Sequence, residues 1–251
     1  MASNRAIDGD LAPSSTREPG QDLGQVIAFR PKHGRSSPPR QPFEHRLARA
    51  GLAIAAHVVE HSAGTAPDGE SVHAGTVIGI LATLAAEAGL QAASINRRAS
   101  LDAAPGGWIS GGAADAILFA GSAHGGVTTV WDFIAAAAQE SGVKSTALPD
   151  LGAVLAHAEA HIGAKPFPVL TVAPAIRPRT IVRAAAARHR HAIHALAAAE
   201  GLCTAHEQAL TLGAALAQVI RTEPEPALLA HLAAEMLVGA ARLAPMPYAV
   251  A

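Results

Sequence analysis

The chain has 251 residues, 50% of them hydrophobic and 16% charged, with a formal net charge of -1 at pH 7. That length supports one sizeable core or two small ones sharing an interface. The balanced charge excludes a global electrostatic bias toward nucleic acid or anionic membrane, so any electrostatic specificity has to be local.

A single cysteine, Cys203, excludes an internal disulfide framework and fits a reducing compartment. Arg5, Asp8 and Asp10 are followed by no apolar leader core. No run free of acidic and basic side chains reaches the roughly 20 residues of a spanning helix. The expected setting is soluble and cytoplasmic, with no membrane partner.

Residues 1–40 mix five prolines with Gly, Ser and charge around one apolar cluster, Val26 to Phe29. Such a composition cannot offset the entropy of ordering, which predicts a disordered tail. The stretch Val26 to Arg35 has the make-up of a short docking motif, although a solvated tail with one apolar patch is the simpler expectation.

From Phe43 to about His61 the pattern is helical, with Phe43, Leu47, Ala50, Ile54 and Val58 on one stripe. After a turn at Ala66 to Gly69, Ser71 can cap a helix that runs to about Asn96. Val77, Leu81, Leu84 and Ala88 mark one face of it. Gly75, Gly79, Ala82, Ala86 and Ala93 mark another with so little volume that a neighbour can come close.

The stretch Gly106 to Gly142 carries Trp108, Phe119, Trp131 and Phe133, in a chain with five Phe, two Trp and one Tyr in all. These rings are the expected anchors of the core, because alanine buries little area per residue. Thr128 or Thr129 can cap a helix from about Val130 to Ser141, and Asp150 can cap the next, along Leu151 to Ile162.

Between Gly163 and Pro178 four prolines surround Phe167, Val169, Leu170 and Val172, which predicts an extended strap over the bundle or a linker, the apolar residues favouring the strap. The last third predicts a helix from Arg179 to Glu200 closed by Gly201 and a capping box at Thr204 and Glu207. It also predicts a second box at Thr222 and Glu225, and a final helix with a Leu229, Leu232, Met236, Ala240 and Leu243 stripe. An antiparallel hairpin or three-helix packing is expected there.

The fold class is therefore all-α: an Ala-rich bundle of about six to eight helices spanning 41–251, divisible at the strap into 41–163 and 178–247. The Pro166 to Leu170 strap, the Ala-rich C-terminal helix and Met246 together resemble uncharacterised helical proteins of GC-rich bacteria, over roughly residues 105 to 247. The resemblance implies a helical fold and supplies no functional residues.

Four constellations invite chemistry. His57, Glu60 and His61 spell an inverted zinc-protease motif that lacks an evident third ligand, and His157 with His161 repeats the one-turn spacing. Whether these pairs converge on a metal is open in the sequence; with 13 histidines, core or surface histidine is the expectation. Gly121 to Thr128 has the outline of a phosphate loop, but Val127 stands where the lysine belongs, which leaves a weak anion site at Gly125 to Thr129 or a plain turn. Cys203 beside His206 reads as a small apolar residue at a helix start.

The most suggestive surface is a strip of Arg179, Arg183, Arg190 and His194, within about 60° of one another on a helix, set against the alternative of a face paired with acids such as Glu223 and Glu225. The helix after Gly201 lacks basic residues at its start, which argues against a helix-turn-helix, and nucleic acid is not the expected partner. The leading expectation is a non-enzymatic interaction or regulatory protein whose partner is another protein, a homo-oligomer being compatible with it. A small-molecule or anion binder, which could be an enzyme, is the second. Nonspecific nucleic-acid binding through the arginine strip is the third. No catalytic residue, metal ligand or cofactor is called for.

Overall fold

A computed structural model describes residues 41–63, 72–97, 114–119 and 128–243. Eight α-helices and one 3-10 turn (Ser145–Ala147), with no β-strand, make up the regular structure of the described residues: α1 (Phe43–Ala63), α2 (Ala74–Arg97), α3 (Asp115–Leu118), α4 (Val130–Glu140), α5 (Leu151–Ala160), α6 (Val182–Ala199), α7 (Ala205–Thr222) and α8 (Pro226–Ala241). The protein is all-α, as its periodicity predicts. The tail, the Val26 to Arg35 stretch, Trp108, the Gly121 to Val127 loop and Met246 lie outside the described residues.

α2, α7 and α8 are the inner helices, with α1 and α4 laid on α7 and α6 against α2. The last three helices therefore form neither the expected hairpin nor a three-helix packing of their own. α7 is apolar almost all round and buries thirteen of its eighteen residues, so it takes the middle of the bundle instead of pairing mainly with its sequence neighbours. α2 is long and apolar enough to cross a membrane over Ala74–Ala93, but 89% of that window is buried inside the bundle.

Several helix ends follow from local chemistry. Thr129 and Asp132 form a capping box on α4, and Thr204 and Glu207 form one on α7. Asp150 caps α5 by accepting from the Gly152 amide (2.9 Å). Gly201 closes α6 with φ +73°, a conformation that costs glycine little.

The second box is not formed. α7 continues through Thr222, whose hydroxyl donates to the Val219 carbonyl (2.9 Å), and α8 starts after Glu225 with Pro226 in its first turn and no side-chain cap. Pro226 at the first helical position leaves one fewer unpaired amide and has its φ preset for a helical turn, which favours a start here without a box.

The core is built from Leu, Ile, Val and Ala of the inner helices, not from the rings. Phe119, Trp131 and Phe133 are only partly buried. They sit where clusters meet. Phe119 and Trp131 touch both the main core and a satellite of Val154, Ala158, Ala234 and Val238, and Phe133 joins the main core to a satellite around Leu47 and Leu202. Close-packed alanines let the inner helices fill their own interior, which leaves the bulky rings for the seams.

Candidate functional site

Between α5 and α6 the chain forms the expected strap. Its backbone cannot use helical hydrogen bonds, so side chains of three helices supply partners. His73, just before α2, places Nε2 2.7 Å from the Ala175 carbonyl, and Thr76 Oγ1 accepts from the Arg179 amide (3.0 Å). On α5, His157 Nε2 lies 3.0 Å from the Val169 carbonyl. On α8, Glu235 accepts from the Thr171 amide (2.8 Å) and the Thr171 hydroxyl.

Glycines let the strap sink in. A Cβ at Gly75 would stand 1.8 Å from the Ile176 carbonyl oxygen, and one at Gly239 would stand 2.5 Å from Pro168 Cβ. Gly75, Gly79, Thr83 and Glu87 form one row along α2 at one-turn spacing. The two glycines admit the strap and Val182, while Glu87 pairs with Arg190 of α6 (2.6 Å).

Thr83 lies between them at the floor of a cavity of about 710 Å³. The strap residues Phe167, Pro168, Val169 and Leu170, with Met236 and Ala240 of α8, form its walls. Its charged lining residues are Lys165, Arg177 and Arg183, with no carboxylate among the described lining. Arg177 Nε donates to the Val172 carbonyl (2.8 Å), which fixes the guanidinium against the strap. The Thr83 hydroxyl is buried with no hydrogen-bond partner among the described residues. A buried hydroxyl without a partner is costly, and one at the edge of an apolar cavity is what a ligand's polar atom would relieve.

The basic strip is divided by the fold. Arg179 is exposed, precedes α6, and lines a separate cavity of about 500 Å³ together with Glu223 and Glu225. Arg183 is half-buried at the strap cavity. Burial pushes its pKa down and Arg190 adds to the fall, while Glu87 opposes both. Arg190 is buried against Glu87. His194 is half-buried, and burial, then Arg190 and His191, lower its pKa, which favours the neutral imidazole. Helical spacing gave the four a common side of a helix; the packing of α6 on α2 turns part of that side inward.

The histidine pairs meet different neighbours. His57 and His61 stack with ring centroids 4.1 Å apart, and His189 of α6 brings Nδ1 within 3.5 Å of His57 Nε2. Burial first and neighbouring imidazoles second lower the pKa of His57 and His189. His161 Nδ1–H donates to the His157 carbonyl (2.8 Å), and His157 is engaged with the strap. Among the described residues no group of three or more His, Cys, Asp or Glu is placed to hold a metal ion, so the two pairs do not converge on one.

Two other candidates are also placed. The Thr129 amide donates to Asp132 Oδ2 (2.8 Å), so one of the two described amides of the suggested Gly125 to Thr129 anion site is occupied by the chain's own carboxylate. Cys203 is exposed before α7, and its amide donates to Glu207 (3.1 Å).

Sequence reasoning saw the strap but not the space beneath it. Two signals were present: basic residues at both ends of an apolar, proline-rich run, and a threonine within the small-residue side of α2. Neither discloses a cavity, because a void depends on how far two segments stand apart. No family of known proteins matches the chain, and no curated protein and no solved structure matches it either.

Proposed function

We propose that this protein binds a small amphipathic anion, an apolar molecule ending in a carboxylate or similar group, in the cavity under the strap, and that it acts as a non-enzymatic binding or regulatory protein. The observation that carries this reading is the cavity itself: about 710 Å³, within the range of small-molecule sites, with apolar walls and cationic but no acidic side chains among its described lining. The apolar walls would take the body of the ligand, Lys165 and Arg177 its charge, and the Thr83 hydroxyl a further polar atom. Charge complementarity sets the sign of the ligand more than its affinity.

Calorimetric titration with decanoate, decanol and decylammonium tests it. Decanoate is expected to bind and to raise Tm, with decanol weaker and decylammonium weakest. Lys165→Glu should cost decanoate at least about tenfold in Kd. Equal binding of all three, or no binding of decanoate at millimolar concentration, would overturn the proposal.

A second reading, recognition of a protein partner, has its own observation. Leu52 and Val59, two turns apart on α1, are 59% and 41% exposed. Single exposed apolar residues are ordinary, whereas a pair on one helix face is the usual make-up of a docking stripe. Sedimentation of the protein and of Leu52→Glu with and without decanoate would show whether this surface associates and whether the cavity governs it. A monomer under every condition would remove self-association through α1.

A further inference from the structure

A second, smaller cavity, of about 270 Å³, is lined by Asp150, Val154, His157, Thr171, His231 and Glu235 among others. Glu235 is only 4% exposed. Every protein donor near its carboxylate goes to one oxygen: Oε1 accepts from the Thr171 amide and hydroxyl and lies 3.6 Å from His231 Nε2. The other oxygen, Oε2, is buried without a partner among the described residues. A buried carboxylate with half its acceptor capacity unmet is expensive, and Glu235 is among the residues that line this cavity.

We propose that this cavity is a site for a small primary ammonium ion carrying a short alkyl chain. The lining suits that class from both ends. Asp150 and Glu235 supply negative charge, and Asp150 caps α5 through Oδ1 alone, which leaves its second oxygen available. Pro149, Ala153 and Val154 supply apolar wall for the chain. An ammonium brings three donors to carboxylate acceptors, the geometry-tolerant partner that a lopsidedly satisfied carboxylate calls for.

A divalent metal is a poorer fit, since no three ligands gather among the described residues. A Ser-His-Asp style relay is a poorer fit too. The one nitrogen, His231 Nε2, faces both the Thr171 hydroxyl (3.4 Å) and Glu235, whereas a relay uses opposite ring nitrogens.

The test compares n-butylammonium, n-butanol and butyrate at matched ionic strength by calorimetry and thermal shift on the full chain, with zinc and manganese chlorides as further probes. Butylammonium alone is expected to bind and to raise Tm. Asp150→Ser keeps a helix-capping hydroxyl while removing the charge, so the fold should persist as affinity falls at least about tenfold. Glu235→Gln should abolish binding. Because Glu235 also fastens the strap, the isosteric butanol comparison and Asp150→Ser keep the test valid if Glu235→Gln does not fold. An equal response to butanol, binding of a metal ion but not of the amine, unchanged affinity in Asp150→Ser, or no response at millimolar butylammonium would each overturn the proposal. The amphipathic-anion reading rests on a different cavity and opposite charge, so decanoate binding can fail or succeed independently.

Discussion

Arg242 is the largest fully buried side chain among the described residues, and the two halves of its ion pair should differ sharply in cost. Its guanidinium, 2% exposed, donates to both oxygens of Asp115 (2.9 and 3.1 Å) and lies 3.6 Å from Glu159. Burial pushes its pKa down, but the hydrogen bonds and charge of Asp115, helped by Glu159, hold it above the ordinary value, so it stays charged. Asp115 is 28% exposed and Glu159 60%.

Asp115→Ala strands the buried cation with only Glu159 for company, and stranding one member of a buried pair costs roughly 3–5 kcal/mol. Partial relief by Glu159 points to the lower end, about 3 kcal/mol. Arg242→Met removes the buried charge and leaves Asp115 able to rehydrate, for which about 1 kcal/mol is expected, since an apolar side chain of similar length can replace a buried ion at little cost. In a domain of this size that difference corresponds to a Tm gap of about 4–8 °C. Urea unfolding followed by circular dichroism at the helical band, run on both variants, measures it. If Arg242→Met proves as damaging as Asp115→Ala, or if Asp115→Ala costs under about 1 kcal/mol, the burial argument is wrong.

Gly75→Ala should destabilise by roughly 1–3 kcal/mol despite improving helix propensity by about 1 kcal/mol, because the new Cβ meets a backbone oxygen that cannot turn aside; faster proteolysis within 163–181 would show the strap lifting, and a stabilised variant would show that it does not seat as described. Thr204→Ala should cost about 1 kcal/mol through loss of a working cap, while Thr222→Ala should stay within about 0.5 kcal/mol, and comparable losses in thermal melts would restore the second box. The pH dependence has a definite sign. His57, His189 and His194 have folded pKa values below the ordinary histidine value of about 6.5, so the unfolded chain takes up protons first. Stability should therefore fall as pH drops below that value toward their folded pKa values, and His189→Gln should flatten the slope; a Tm that rises on acidification through this window would contradict it.

Much of the architecture was legible residue by residue. Apolar spacing at Leu47, Ala50, Ile54 and Val58 named the inward side of α1, and the glycines of α2 announced close approach by a neighbour. Thr129, one of two threonines offered as a cap, and Thr204 with Glu207 mark helix starts, because a cap is chemistry within four residues; the Asp132 half of the Thr129 box emerged only in the structure. The prolines of 163–178 ended helical structure in the same local way.

Tertiary structure decided the rest. Phe43 continues the α1 stripe in sequence yet is 39% exposed, and in that first turn it is Arg46 that reaches the bundle, donating to the Glu200 carbonyl (3.1 Å). Arg190 shares a helical side with Arg183 and His194, but only the arrival of α2 beneath it placed Glu87 within 2.6 Å and buried the pair. Both cavities belong to this second class. Thr83 and Met236 bound one, and Asp150, Thr171 and Glu235 the other, from segments far apart along the chain. Periodicity tells a side chain which way to face and capping tells a helix where to begin, since both act over a turn or two; the distance left between a proline-rich strap and the helices beneath it is a sum over every packed residue, and only the assembled fold sets it.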